Sequence, residues 1–209
     1  VWLVTRFDPW TSRAEAAVIR TRMANLLAEM GADPAYRGLA PAPLPTGVAA
    51  DTGHLYSYTP RPAAGERLGL LVFLHGHGGN AALHVHVWRP FADAHRFAVV
   101  APTFGHGDWD HPHAAAAVAR CLTFAVAHLP VDPGRVLLAG ISQGGAGVGR
   151  AAADLGDRVA GLVFLSPTLE VGVLGSAAFA AGWRGRPVLV VSGGADPHVP
   201  PASVDAGVA

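Results

Sequence analysis

Charge is scarce in this 209-residue sequence: Asp, Glu, Lys and Arg make up 14% of it, and 15 basic side chains are balanced by 15 acidic ones. A neutral balance excludes the cationic surface that a phosphate backbone or an anionic lipid layer requires, so neither nucleic acid nor a membrane surface is an expected partner. Cysteine is almost absent. The single Cys121 has no partner for an internal disulfide and sits in an Ala- and Val-rich stretch that reads as helix, so it is expected to pack in the core. No apolar run approaches the roughly 18 residues that span a bilayer, and the chain reads as soluble. The chain opens at Val1 without a Met or a signal-like segment, which leaves the compartment unassigned, a cytoplasmic one being the default. Nothing in the sequence speaks to oligomeric state.

Apolar residues, by contrast, are plentiful at 51%, with 26 glycines, enough for one domain with a real core. We divide it into residues 1–68, an N-terminal helix, a Pro-rich connection and a first strand, and residues 69–209, the core. Thr11 to Met30 carries a hydroxyl cap, strong helix formers and apolar positions at Val18, Leu26, Leu27 and Met30, which predicts an amphipathic helix ended by Gly31. Four prolines between Gly31 and Pro45 predict an irregular surface connection. A short strand follows at His54 to Tyr58.

Thereafter short, unbroken apolar runs alternate with helix-like segments. The runs are Leu70 to Leu74, Phe97 to Val100, Val136 to Ala139, Val159 to Leu165 and Val188 to Val191; the helical segments are Asn80 to His95, His113 to Leu129 and Gly144 to Leu155. Strands without polar alternation are covered on both faces, so the order predicts an α/β fold: an open, doubly wound, mostly parallel sheet with helices on both sides. Such sheets bind ligands at the carboxyl ends of their strands. The residues just after each apolar run are therefore the ones to inspect.

Three strand ends carry chemistry. After Val136 to Ala139 comes Gly140-Ile141-Ser142-Gln143-Gly144-Gly145, a G-x-S-x-G pattern between a strand and a helix, where a tight turn would lift Ser142 into the open as a nucleophile. The helix beginning there would stabilise negative charge with the positive end of its dipole. The plain alternative is a glycine-rich turn. After Leu70 to Leu74 comes His75-Gly76-His77-Gly78-Gly79-Asn80, whose small residues let a substrate approach the main chain at Gly76. We expect the His77 and Gln143 amides to form an oxyanion hole. A phosphate-cradling loop is the competing reading, and the loop lacks the lysine and spacing of one. His75 is expected to orient this loop. After Val188 to Val191 comes Ser192-Gly193-Gly194-Ala195-Asp196-Pro197-His198, where Asp196 suits the acid of a Ser-His-Asp triad or, more simply, a turn.

The base is the weak point. His198 is the one histidine after Asp196, and two residues from the acid it has little reach to join that carboxylate to Ser142. Nine residues follow Pro200, so a truncated sequence whose last strand and histidine loop are missing is the expectation. The loop Phe104 to His113 follows another strand and is rich in His and Asp. A metal is conceivable there, but we expect a pocket-lining loop with Trp109 as an apolar wall and Asp110 or His113 capping the next helix. His84 and His86, two apart on a helix, read as ordinary polar positions.

Together, Leu74-His75-Gly76-His77-Gly78-Gly79, Gly140 to Gly145 and Ser192 to Pro200 resemble the α/β-hydrolase serine esterases, in particular the phospholipase/carboxylesterase group that includes acyl-protein thioesterases. The resemblance runs from Leu70 to Pro200. It implies Ser142 as nucleophile, Asp196 as acid, the His77 and Gln143 amides as oxyanion donors, a small-molecule ester or thioester as substrate, no metal and no cofactor. It also implies a catalytic histidine beyond Ala209. A prolyl-oligopeptidase-like peptidase and an inactive binding module of the same fold remain open alternatives.

Overall fold

The computed structural model describes residues 11–37 and 53–208. They fall into two compact units, one up to Pro41 and one from Ala42 onward. In the first unit, helix α1 spans Arg13–Ala32. Ser12 and Glu15 close a reciprocal capping box at its start: the Ser12 hydroxyl accepts from the Glu15 amide and the Glu15 carboxylate accepts from the Ser12 amide. The helix is not amphipathic as the sequence suggests. Ala16 is its one buried residue, and Val18, Ile19 and Leu27 point to solvent on different sides of it. The predicted connection begins with a single tight turn at Pro34–Tyr36 capped by Asp33, and lies outside the described residues from residue 38 on.

The second unit is built on a six-stranded sheet ordered β1-β3-β2-β4-β5-β6. The strands are β1 (Leu55–Tyr58), β2 (Leu68–Leu74), β3 (Phe97–Pro102), β4 (Val131–Ile141), β5 (Gly161–Leu165) and β6 (Val188–Val191). β1 runs antiparallel to β3, and every other pairing is parallel. Between them lie α2 (Ala81–His95), α3 (Ala114–His128), α4 (Gly144–Leu155), α5 (Val171–Leu174) and α6 (Ala177–Trp183), with α7 (Pro201–Val208) after β6. This is the doubly wound α/β sheet that the apolar runs predict.

Side chains leave a strand alternately to opposite faces, and β2 displays the consequence. Leu68, Leu70, Val72 and Leu74 join α3, α4 and Trp183 in one core, while Leu71 and Phe73 join Ala81, Val85 and Ala92 of α2 in another. Every residue of β2 is buried, each Leu or Phe contributing about 1.5–3 kcal/mol. Cys121 lies within the first core, and burial pushes its thiol up to about 12. β6 departs from the expectation of strands covered on both faces: Val188, Leu189 and Val191 are 45%, 55% and 48% exposed. It is the last strand of the described sheet. Among the described residues no helix is long and apolar enough to cross a membrane.

Candidate active site at the strand ends

Parallel pairing puts the carboxyl ends of β2, β4 and β5 side by side, with Leu74 opposite Gly140 and Ile141 opposite Leu165. The loops that follow them therefore meet. Ser142 stands between β4 and α4 at φ +53°, a left-handed conformation that non-glycine residues rarely adopt. Its amide donates to the Leu165 carbonyl (3.0 Å), and its own carbonyl accepts from the amides of Gly145 (2.8 Å) and Thr168 (2.9 Å). Those three bonds hold the strained bend. No Cβ fits at Gly144, because it would overlap the Leu74 carbonyl, so the helix can start this close to β2 only with glycine there.

Gly76 is buried directly against this bend: a Cβ on it would lie 3.2 Å from the Ser142 Cβ and 3.3 Å from the Ile141 carbonyl. The loop carrying His77 thus abuts the serine. Neither the His77 amide nor the Gln143 amide donates a hydrogen bond among the described residues, whereas the neighbouring Gly78, Gly79 and Ser142 amides all do. N–H groups without an acceptor among the described residues, one on the loop against Ser142 and one on the residue after it, are of the kind that hold an oxygen acquiring negative charge. The side-chain Oε1 of Gln143 is buried and has no partner among the described residues.

His75 is 2% exposed. Its Nδ1 lies 2.8 Å from the Gly76 carbonyl, which can only accept, so Nδ1 carries the proton. Burial holds its pKa below the ordinary value. Phe73 packs 4.9 Å from His84, which is half-buried rather than an ordinary polar position, and burial, aided by the nearby His75, pushes it down to about 4. The helix pattern hid this residue because it records only the spacing along α2.

Trp109 must be corrected. It is 0% exposed, so it cannot serve as a pocket wall. Its indole stacks on Phe104 at 5.3 Å, meets His75 edge-on at 5.2 Å, and donates from Nε1 to the His75 carbonyl at 2.7 Å. The cap prediction fails as well: His113 precedes α3 at the cap position but makes no side-chain cap bond, and its amide instead donates to the His111 ring at 3.3 Å. Among the described residues no three His, Cys, Asp or Glu side chains gather as metal ligands would.

Asp196 lies in a turn after β6, where its Oδ1 accepts from the amides of His198 (2.9 Å) and Val199 (3.0 Å). Slight burial would raise its pKa, but those two amides and the Ser166 hydroxyl outweigh it, and the carboxyl sits below its ordinary range. Ser166 went unnoticed in the sequence. It follows β5 at φ +38°, with its amide on the Val191 carbonyl of β6 at 2.7 Å, and so links the Asp196 turn to the strand that holds Ser142.

The family model described as alpha/beta hydrolase fold matches residues 69–178, just over half of the chain. Among solved structures, a thermostable esterase is 20% identical with a TM-score of 0.60, over 74% of this chain and 46% of its own. LpqC, a poly(3-hydroxybutyrate) depolymerase from Bordetella parapertussis, is 24% identical with a TM-score of 0.58, over 72% and 64%. A phospholipase/carboxylesterase from Dyadobacter fermentans is 19% identical with a TM-score of 0.57, over 78% and 81%. The chain thus spans about half to two thirds of the first two. No curated protein matches the sequence. The sheet order, the bend at Ser142 and the family match agree, and the chain belongs to the alpha/beta-hydrolase fold family.

Proposed function

We propose that the protein is a serine hydrolase that cleaves a carboxylic ester or thioester through an acyl-enzyme on Ser142. One observation carries the reading: a non-glycine residue at φ +53° on a cramped strand-to-helix turn, near two main-chain N–H groups that find no acceptor among the described residues. A serine is kept in so strained a conformation where its hydroxyl is put to use.

In this reading Ser142 Oγ adds to the acyl carbon while its proton passes to an imidazole paired with Asp196. The carbonyl oxygen takes up the negative charge and is held by the N–H groups of His77 and Gln143, with the positive end of α4 behind the latter. The bond to the leaving group then breaks as that group receives the proton. Water repeats the sequence on the acyl-enzyme, releasing the acid and restoring Ser142. The names esterase, depolymerase and carboxylesterase borne by the fold neighbours agree with an ester as the substrate.

Labelling with a fluorophosphonate tests the nucleophile, since Ser142 Oγ would form a bond to phosphorus and expel fluoride. The expected result is one adduct on Ser142, absent from Ser142→Ala. An unlabelled Ser142 in folded protein would overturn the proposal and favour a binding module.

A further inference from the structure

We propose that Gly107 and Trp109, on the loop after β3, are positioning residues that fix the peptide supplying the first oxyanion donor. The inference rests on the reading of Ser142 as nucleophile. It begins from the geometry of one amide plane. In a trans peptide the C=O and the following N–H point in opposite directions, so whatever holds the Gly76 carbonyl also aims the His77 N–H.

The Gly76 carbonyl is held twice, by the His75 Nδ1–H at 2.8 Å and by the Gly79 amide at 3.1 Å. Behind it lies Gly107. A Cβ there would stand 2.7 Å from Gly76 O, 2.9 Å from Gly76 C and 2.9 Å from His77 Cα, so the bare backbone of Gly107 is seated against the peptide that carries the donor. Its φ of +100° independently restricts the position to glycine. On either side the same loop makes two further bonds to the donor loop. The His106 carbonyl accepts from the Gly78 amide at 2.6 Å, and the Trp109 indole N–H donates to the His75 carbonyl at 2.7 Å.

Trp109 also touches the second donor's element. A Cβ on Gly147, one turn into α4, would lie 2.9 Å from the Trp109 Cβ. α4 starts at the residue after Gln143, so one buried indole is packed on the helix behind one amide and bonded to the loop that carries the other. It sets the separation between them. An oxyanion hole acts only when both donors lie about 2.7–3.1 Å from the developing charge, which makes that separation a determinant of rate rather than of substrate affinity.

Trp109→Phe is the milder test: it removes the indole N–H together with the pyrrole part of the buried ring, and keeps an aromatic side chain in place. Gly107→Ala is the stronger perturbation. For a p-nitrophenyl ester we expect kcat to fall about 10-fold in W109F and about 100-fold in G107A with KM within twofold, and the affinity for a trifluoromethyl ketone, which forms a tetrahedral oxyanion on Ser142, to fall in step. Wild-type kcat and ketone affinity in W109F, or a raised KM with unchanged kcat, would overturn the inference. A second measurement needs no turnover: hydrogen exchange at the Gly79 amide, whose bond to Gly76 O reports the peptide's orientation. About tenfold faster exchange in W109F supports the brace, and unchanged exchange overturns it. Should wild type neither turn over the ester nor accept fluorophosphonate at Ser142, the nucleophile reading falls, and the exchange result still decides the brace.

Discussion

The end of β2 and the end of β6 offer the same topological opportunity, yet they are built differently. The β2 end is anchored in the interior: all of its strand, with His75 and Gly76, is buried, and the exposed loop that begins at His77 is clamped by His75, His106 and Trp109. The β6 end rises from a strand about half exposed, and Asp196 is held mainly by amides of its own turn. On the proposed reading, the donor half of the site is therefore preorganised by packing, and the acid half by local hydrogen bonds and charge. Substitutions near the first should be felt in stability, and those near the second mostly in charge.

The sharpest way to break that contrast is Gly144→Ala. The added Cβ would overlap the Leu74 carbonyl and lie 3.0 Å from the His75 carbonyl, both main-chain atoms of the central strand end that cannot rotate away. We expect a loss of about 4 kcal/mol or more in urea unfolding, the range reached by a core clash with no soft partner. Next comes Leu138→Ala in β4, a fully buried site, at about 2–5 kcal/mol. Leu189→Ala in β6, at 55% exposure, should cost less than about 0.5 kcal/mol. Equal losses at the two leucines would mean that β6 is as much a part of the core as β4.

The same contrast governs how much could be read from the sequence. The strands of the second unit and its helices α2, α3 and α4 were legible because unbroken runs such as Leu70 to Leu74 fit between two layers, whereas the short helices α5, α6 and α7 were not read. G-x-S-x-G was legible because only a tight turn needs both glycines, and Ser142 duly sits at positive φ. Trp109 was misread, since position after a strand says that a loop is near the site and not which way its side chains turn. Its burial depends on Phe104, His75 and α4 together, a three-way contact with no sequence period. α1 was misread for a related reason: apolar letters at Val18, Leu26 and Leu27 suggest a face only if a partner covers it.

The buried imidazoles give the donor half its own pH dependence. His84 is pushed down to about 4 and His75 is also lowered, so as pH falls below about 6.5 the unfolded chain takes up protons that the folded chain refuses. Stability is present in full above that range and is lost progressively toward pH 4. A one-unit shift corresponds to about 1.4 kcal/mol, which limits the contribution of His84 to about 3 kcal/mol. Urea unfolding from pH 7 to 4 should show this slope, and His84→Gln should flatten it. An unchanged slope would place the titration elsewhere.

A small effect is also expected at Asp196 itself. Asp196→Asn keeps an oxygen for the His198 and Val199 amides and removes only the charge. The depressed pKa of Asp196 means that its charge favours the folded state above the ordinary carboxylate range, and that this contribution fades as pH falls through the lowered folded value. D196N should therefore unfold slightly earlier than wild type at pH 7, with the gap closing as pH falls through the lowered folded value. Because the side chain is largely solvated, the gap at pH 7 should stay below about 1 kcal/mol. A gap that is large and independent of pH would show the turn itself to be damaged, and Asp196 would then be a structural residue whose carboxylate charge contributes nothing to the fold.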